Sequence, residues 1–272
     1  MSAPELTVIT VSHEHGRFLG NLLDSLDRER TRIALEVLVV DNASRDETGA
    51  VVARFPWVGM LRNDRRRGFA FNNNRAIRVA AGRHLFLLNP DTEVVPGALQ
   101  TLVRHLDEHP EVGICGPQLR FPDGSLQLSA RRFPTLAWVL LRRTPLRLVV
   151  PDAEATRRHL MEDVDHSRPR EVDWLLGAAL LVRREVLRTV GLLDEGYFLY
   201  VEDIDWAYRA HAAGWRVSYV PDAQIVHHYQ ADADRRLLSR YSWIHLQGMW
   251  RFYRKHLAPR WLRARVEPEF LG

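Results

Sequence analysis

Short apolar runs rich in β-branched residues alternate, along the first part of the chain, with stretches whose apolar residues recur at helical spacing. The run Leu6–Val11 is bounded by polar residues and predicts a buried strand. Leucines at helical spacing in Arg17–Leu26 predict an amphipathic helix after it. The pattern then predicts, in order, strand Leu35–Val40, a helix capped by Ser44 and Glu47, strand Trp57–Leu61, helix Phe69–Ala81, strand Leu85–Leu88 and a helix from Pro96 to about His109.

This alternation with short connections predicts an α/β fold whose mostly parallel sheet is covered on both faces. In such sheets, ligands bind beyond the carboxyl ends of the strands. Polar residues follow three of the predicted strands at that end, namely Ser12, Asp41 with Asn42, and the Asn-Pro-Asp segment Asn89–Asp91. Their convergence predicts a ligand site at this edge of the sheet.

The second half of the chain has a less regular pattern and predicts shorter elements. They are a turn at Phe121–Ser125 between short strands, strand Trp174–Val182, helix Arg184–Val190, helix Glu202–Ala213 closed by Gly214, strands Val217–Val220 and Gln224–Val226, and a long helix Arg235–His256. Because no repeat or low-complexity linker interrupts the chain, we expect one continuous domain with halves at 1–116 and 117–230, followed by a helical extension at 231–272.

Composition is that of an ordinary globular protein, with 46% hydrophobic and 26% charged residues among 272. A single cysteine excludes an internal disulfide and fits a reducing compartment. No signal peptide and no run of roughly 20 apolar residues is present, so we expect a cytoplasmic protein, soluble or peripheral to a membrane. The net charge of +4 suits an anionic partner such as a nucleotide diphosphate, although an arginine-rich composition explains it equally well.

Two carboxylates at strand ends are candidates for ligand binding. Asp41 can accept a hydrogen bond from a pyrimidine or a ribose, although an aspartate that caps a helix is equally expected there. In the Asn-Pro-Asp segment, Pro90 fixes the turn and Asp91 projects from the sheet edge. One carboxylate and a diphosphate can together bind a hard divalent cation, whereas a purely structural turn is the alternative.

Three acidic residues, Glu202, Asp203 and Asp205, cluster at a predicted helix start. Stabilisation of the helix dipole explains one or two of them. The cluster follows several aromatic residues, which favours a carboxylate held in a cleft as a general base. Farther along the chain, His227 and His228 follow a short strand, where an imidazole can bind a metal or pack as a partly buried side chain.

The segment Gly68–Asn74 opens a predicted helix, and its backbone N–H groups and amides are suited to a nucleotide or its phosphates. An asparagine-rich helix start without a ligand is the alternative. Neither a G-x-G-x-x-G nor a G-x-x-x-x-G-K-[ST] sequence occurs, which disfavours dehydrogenases and P-loop proteins.

The ordered set of motifs resembles the family 2 glycosyltransferases of the GT-A fold, and within them the bacterial rhamnosyltransferase-like and galactofuranosyltransferase-like enzymes. The similarity runs from Leu6 to about His228. It is carried by Val11-Ser12, Val40–Ser44, Gly68–Ala70 with Asn73-Asn74, Leu87–Asp91, Trp174 with Gly177-Ala178, Leu193–Glu195, Glu202–Asp205 with Arg209, and His227.

This resemblance implies an inverting, metal-dependent transfer from a UDP- or dTDP-sugar, dTDP-rhamnose among them, to a hydroxyl of a glycan or lipid-linked acceptor. It implies that 1–116 bind the nucleotide-sugar and 117–230 the acceptor. Asp203 would act as general base, with Glu202 as the second candidate. Asp91 and His227, the latter ranked ahead of His228, would hold Mg²⁺ or Mn²⁺.

The resemblance also implies a donor pocket and a cleft between donor and acceptor. The donor pocket would comprise Thr10, Val11, Ser12, Asp41, Asn42, Asn63, Gly68, Phe69, Asn73, Asn89, Pro90 and Asp91. The cleft would comprise Trp174, Gly177, Ala178, Asp205 and Arg209.

Two basic and aromatic segments, 131–150 and Arg235–His256, are compatible with contact with an anionic membrane at the inner face of the plasma membrane. Core packing or a homodimer contact is the alternative and is slightly favoured. A nucleotidyltransferase would share the sheet and the metal, but it needs an N-terminal phosphate loop that His13–Gly16 does not supply. A nucleic-acid-binding protein suits the charge, yet the acids of Glu202–Asp205 would repel phosphates, so we expect no nucleic-acid partner.

Overall fold

One large mixed sheet forms the centre of the molecule. The computed structural model describes residues 3–134, 153–228 and 240–258, and within these ranges ten strands form one sheet and two more form a separate pair. The strands are β1 (Leu6–Ser12), β2 (Leu35–Asp41), β3 (Val58–Arg62), β4 (His84–Leu88), β5 (Thr92–Val94), β6 (Val112–Arg120), β7 (Leu126–Gln127), β8 (Ala130–Arg131), β9 (Arg170–Glu171), β10 (Trp174–Leu175), β11 (Ala179–Arg183) and β12 (Arg216–His227).

Helices connect and cover these strands. They are α1 (Gly16–Glu29), α2 (Thr48–Ala53), α3 (Phe69–Ile77), α4 (Ala98–Glu108), α5 (Ala153–His159), α6 (Arg184–Thr189), α7 (Glu202–Ala212) and α8 (Arg240–Phe252), the last continued by a π-helical turn at Tyr253–Leu257. No helix of the described ranges is long and apolar enough to cross a bilayer.

The order of the strands in the sheet is β3-β2-β1-β4-β11-β6-β12-β5. The first four are parallel, which confirms the α/β prediction for the first half of the chain. Strand β11 lies antiparallel between β4 and β6, and β12 runs parallel to β6 and antiparallel to β5. The predicted boundary at 116/117 falls inside β6, so both halves of the chain build the same sheet.

Two apolar layers enclose the sheet, as the alternation of elements predicts. On one face, α1 and α4 bury leucines such as Leu22, Leu26 and Leu102. On the other face, α3, α6, α7 and α8 pack around the fully buried Trp206 and Phe252. The helices therefore keep solvent from both faces and leave the edge where β1, β2 and β4 end as the place for polar chemistry.

Several predicted elements differ from the structure in ways that matter for the site. Trp174–Val182 is not one strand, because Leu176–Ala178 separate β10, which pairs with β8 outside the large sheet, from β11 inside it. The two short strands predicted near the end are one irregular strand, β12. The helix expected from Pro96 begins after Gly97, whose φ of 86° sets the turn.

The capping box predicted at Ser44 and Glu47 is absent. Helix α2 starts later, at Thr48, and neither side chain caps it. Asp46 takes that part, because its Oδ1 accepts hydrogen bonds from the Thr48 backbone N–H and the Thr48 hydroxyl at 3.1 and 2.6 Å. Most of the basic segment 131–150, and residues 235–239 of the long predicted helix, lie outside the described ranges.

Candidate active site

The ends of β1 and β2 form the first wall of the site. Ser12 and Asp41 lie side by side in the parallel register, and Asp41 is 1% exposed. Its Oδ1 accepts a hydrogen bond from the Ser44 N–H at 2.9 Å, while Oδ2 lies 3.1 Å from Arg62 Nε without hydrogen-bond geometry. Asp41 thus holds the turn with one oxygen and keeps the other for a further donor.

Strand β1 contributes mainly backbone and packing to this wall. The Ser12 hydroxyl lies 3.2 Å from the Thr48 hydroxyl, and Val11 packs half-buried against the core. Thr10 is fully buried, and its hydroxyl has no hydrogen-bond partner in the described structure. Of the three, Ser12 lies nearest to Asp41.

An amide network holds the loop after β3 against Asn42. The Asn42 Oδ1 accepts hydrogen bonds from Asn63 Nδ2 and the Arg67 N–H at 3.0 and 2.8 Å, and its Nδ2 donates to the Arg67 carbonyl at 3.0 Å. Asn63 also donates to Asn72. Because the Asn42 and Asn63 amides bond to other protein groups, these two residues shape the first wall of the site by holding this loop in place.

The helix start at Gly68 is closed by a neighbouring loop. The Phe69 N–H donates to the Phe198 carbonyl at 2.8 Å, and a Cβ on Gly68 would lie 2.9 Å from that oxygen. Asn73 is buried and donates to the Phe69 carbonyl at 3.0 Å. The Phe69 N–H and the Asn73 amide thus each have a protein acceptor in this structure, and their assignment to the nucleotide or its phosphates stays a prediction.

The Asn-Pro-Asp segment brings a carboxylate to an imidazole. Thr92 donates to the Asn89 carbonyl at 2.7 Å, which fixes the turn around Pro90. Asp91 Oδ1 lies 3.4 Å from His227 Nε2, and both side chains are largely buried, 13% and 3% exposed. The two residues meet because β12 pairs antiparallel with β5.

Gln127 orients the histidine of this pair. His227 Nδ1 lies 2.8 Å from Gln127 Oε1, and an amide oxygen can only accept, so the ring carries its proton on Nδ1. Nε2 then directs its lone pair toward Asp91, as a metal ligand requires. His228 points elsewhere and bonds Glu93 at 2.7 Å, which supports ranking His227 first.

The segment Leu176–Ala178 between β10 and β11, called the break below, connects the two sides of the site. The Gly177 N–H donates to Asp203 Oδ2 at 2.9 Å, and the carbonyl of the next residue, Ala178, accepts from the Asn89 N–H at 2.9 Å. A Cβ on Gly177 would lie 3.2 Å from that carboxylate oxygen, so glycine suits the close approach. Trp174 supports the break from below, donating from its indole to the Arg132 carbonyl at 3.0 Å.

The two acids that begin α7 have different electrostatic surroundings. Burial raises the pKa of Asp203 to about 6, against the opposing effects of the Ile204 and Gly177 N–H groups and the charge of Arg131. Burial, and then the charge of Asp203, raise the pKa of Glu202 well above its ordinary value. Glu202 Oε2 is buried without a hydrogen-bond partner. The charge of Asp203 is thus one cause of the raised pKa of Glu202, whereas the Ile204 and Gly177 N–H groups favour the ionised form of Asp203.

Asp205 is held by charged protein neighbours. It is fully buried and contacts Arg209 at 2.8 Å, Lys255 at 2.9 Å and His256 at 2.7 Å. Burial opposes the charge, but His256, Arg209 and Lys255 outweigh it and hold the pKa of Asp205 well below its ordinary value. Asp205 thereby joins α7 to the turn after α8, Arg209 donates to the Val190 and Leu192 carbonyls, and the placement of both residues in the cleft stays a prediction.

The chain is strained immediately before the acidic pair. Tyr200 and Val201 both adopt left-handed backbone conformations, with φ of 69° and 73°, although neither is glycine. Such a conformation in a β-branched residue persists only where surrounding contacts enforce it. Gly248 of α8 provides one, since a Cβ there would lie 3.0 Å from the Val201 side chain.

Two contributors, Gln127 and Arg131, were not singled out from the sequence. Both lie in short strands after the Phe121–Ser125 turn, where single polar residues carry no pattern that distinguishes them. The only sequence signal for Gln127 was its position as a polar residue between the apolar residues of a short strand. Its proximity to His227 follows from the fold.

A parallel sheet whose strand ends carry Asp41 and Asp91, faced by an acidic helix start at Asp203, defines the class of GT-A glycosyltransferases. The profile of Glycosyl transferase family 2 matches residues 7–191, and the chain belongs to this family. N-acetylglucosaminyl-diphospho-decaprenol L-rhamnosyltransferase of Mycobacterium tuberculosis is 35% identical over 239 residues, covering 82% of this chain and 76% of the relative. Rhamnosyltransferase WbbL of Escherichia coli is 26% identical over 257 residues, covering 90% and 91%.

Solved structures share the fold at low sequence identity. GalNAc-T7, solved with UDP, GalNAc and Mn²⁺, matches with a TM-score of 0.66 at 17% identity over 93% of this chain and 48% of its own. A Pyrobaculum calidifontis mannosyltransferase, solved with GDP-Man and Mn²⁺, matches with a TM-score of 0.55 at 22% identity over 85% and 59%. This chain therefore spans only about half to three-fifths of those structures, which support the fold alone.

Proposed function

We propose that this glycosyltransferase is a metal-dependent, inverting enzyme that moves a deoxyhexose such as rhamnose from a dTDP- or UDP-sugar to a hydroxyl of a lipid-linked glycan. The observation that carries the proposal is a pair of adjacent contacts, in which the Gly177 N–H donates to Asp203 and the Ala178 carbonyl accepts from the Asn89 N–H. They support Asp203, whose pKa is raised, as a base linked through this backbone to the strand end that bears Asp91. The rhamnosyltransferase relatives support the sugar, and the decaprenol in the name of one supports the acceptor.

Asp91 and His227 suit a divalent cation. Their facing atoms lie 3.4 Å apart, and Gln127 selects the histidine tautomer that can ligate. In the described ranges no cluster of three or more potential ligands forms, so the remaining positions suit diphosphate oxygens and water, as Mg²⁺ and Mn²⁺ prefer. When bound there, the cation neutralises charge that develops on the leaving diphosphate.

The protein's own groups account for the acceptor side of the reaction. Asp203 removes the proton of the acceptor hydroxyl as its oxygen bonds to the anomeric carbon. The bond from that carbon to the diphosphate oxygen breaks on the opposite face, so the configuration inverts. The Gly177 N–H keeps Oδ2 in place, and the raised pKa of Glu202 favours a neutral carboxyl beside the Asp203 carboxylate.

The pH dependence of kcat/KM provides a test of the base. Asp203 acts as a carboxylate, and its pKa in the ligand-free enzyme is about 6, so kcat/KM should fall about tenfold per pH unit below pH 6 and reach a plateau above it. Arg131→Gln removes a positive charge near Asp203 and should move this limb to higher pH. Arg132→Gln is the matched control, because Arg132 pairs with Asp163 at 2.8 Å. An unmoved limb in Arg131→Gln would contradict the assignment.

Donor identity can be tested directly by thermal shift with UDP, dTDP and GDP, each with and without Mn²⁺. We expect UDP or dTDP to raise the melting temperature more than GDP does, because the family resemblance implies a UDP- or dTDP-sugar and the N3–H of uracil or thymine can donate to the Asp41 carboxylate, whose Oδ2 has no hydrogen-bond partner in the described structure. Asp41→Asn should reduce this preference. Stabilisation by GDP alone would overturn the pyrimidine assignment while leaving the base assignment intact.

A further inference from the structure

The outward side of the C-terminal helix is apolar and basic where a surface helix is normally polar. Trp243, Trp250 and Leu257 are 63%, 55% and 46% exposed. Exposed residues recur every three or four positions, which places them along one side of the helix. We call this side the outer stripe, and it consists of Arg240, Trp243, Gln247, Trp250, Arg254 and Leu257. Between residues 240 and 258 the sequence contains no aspartate or glutamate.

The inner side of the same helix is fully engaged. Met249 and Phe252 belong to the core, and Arg251 and Lys255 pair with Asp194 at 2.9 and 2.8 Å. Packing therefore explains the inner residues, including two of the four basic side chains. It does not explain two exposed tryptophans, whose apolar surface is costly to leave in water.

We propose that the outer stripe rests on an anionic lipid surface. Tryptophan suits the boundary between lipid headgroups and acyl chains, because its large ring is apolar and its N–H is polar. Arg240 and Arg254 lie on the same side and attract anionic headgroups, with no acid on the helix to oppose them. The helix would lie in the plane of the surface and not cross it.

A second copy of the chain suits this stripe less well. A twofold contact brings the same surface against itself. The arginines of one helix would then face those of the other, and the stripe offers no carboxylate to pair with them. Lipid phosphate supplies the missing negative charge.

The stripe is also mechanically connected to the base. Lys255 and His256 bind Asp205, which lies two residues after Asp203, and Gly248 contacts the strained Val201 that precedes the acidic pair. A helix seated on lipid would therefore fix the acceptor end of the site relative to the membrane. This consequence, though not the lipid contact itself, rests on the proposed lipid-linked acceptor.

Vesicle co-sedimentation of the full chain, without donor, tests the contact. We expect binding to phosphatidylcholine vesicles that contain about 30 mol % phosphatidylglycerol, and binding weaker by about tenfold to phosphatidylcholine alone. The double variant Trp243→Ala/Trp250→Ala should lose at least about tenfold in affinity for the anionic vesicles. Val79→Ala/Leu126→Ala removes exposed apolar side chains elsewhere and should bind as the wild type does.

Three results would overturn the proposal: no binding of the wild type to anionic vesicles, equal binding by the tryptophan variant, or a wild-type dimer in sedimentation that this variant abolishes. Thermal shift with UDP or dTDP and Mn²⁺ confirms that the variant is folded. Since vesicle binding needs no sugar transfer, an absence of transferase activity would contradict the proposed function without affecting this measurement.

Discussion

Asp203→Asn will abolish sugar transfer while donor binding persists. Asparagine keeps the size of the side chain and can still accept the Gly177 hydrogen bond through its amide oxygen, so the sheet break and the Asn89 contact remain. It cannot remove a proton from the acceptor hydroxyl at neutral pH. Loss of a general base lowers kcat by about 10²- to 10⁴-fold. Single-turnover transfer and calorimetric donor binding, measured on the same preparation, separate the two effects.

Glu202→Gln is the matched variant for this experiment. Glu202 is buried, and burial and the charge of Asp203 raise its pKa, which favours the neutral form that glutamine imitates. We expect a much smaller loss of kcat than in Asp203→Asn. The reverse order, with Glu202→Gln inactive and Asp203→Asn active, would transfer the role of base to Glu202.

Asp91→Ala will weaken the binding of nucleotide diphosphate that depends on a divalent cation. It leaves His227 as the one remaining protein ligand of the proposed pair, and a hard cation needs carboxylate oxygens. We expect the Mn²⁺-dependent gain in affinity for UDP or dTDP to fall by at least about tenfold, with little change in metal-free binding. Titration calorimetry with and without Mn²⁺ measures both quantities.

Glu93→Ala is the control for this variant. Glu93 lies two residues away but pairs with His228, so its removal should preserve the metal-dependent gain. If Glu93→Ala and not Asp91→Ala removed the gain, the cation would belong to the Glu93–His228 pair. His227→Ala should behave as Asp91→Ala does.

The parallel part of the fold was predictable because its signals are local. Apolar runs such as Leu35–Val40 mark buried strands, and the polar residues after them mark the carboxyl edge. The break at Leu176–Ala178 was not predictable, because its cause is the approach of Asp203 from 26 residues away. The apolar residues run without interruption through this segment. Such a pattern predicts that the segment is buried, but it does not predict where one strand ends and the next begins.

The sequence predicted which residues are candidates for the site better than it predicted the contacts that each of them makes. Motif order predicted Asp91, Asp203 and His227, and the structure brings Asp91 and His227 within 3.4 Å of each other. It did not predict the protein contacts in which Asn73 and Asp205 are buried. Partners such as Lys255, 50 residues from Asp205, follow only from tertiary packing.

The position of β11 has a consequence for recombination between relatives. This strand joins the sheet between β4 and β6, and the two residues before it hold Asn89 on one side and Asp203 on the other. A chimera that exchanges everything after residue 116 would replace Gly177, Ala178 and Asp203 and leave Asn89 behind. Acceptor preference should therefore be easier to transplant as individual loops and helices than as a whole C-terminal module.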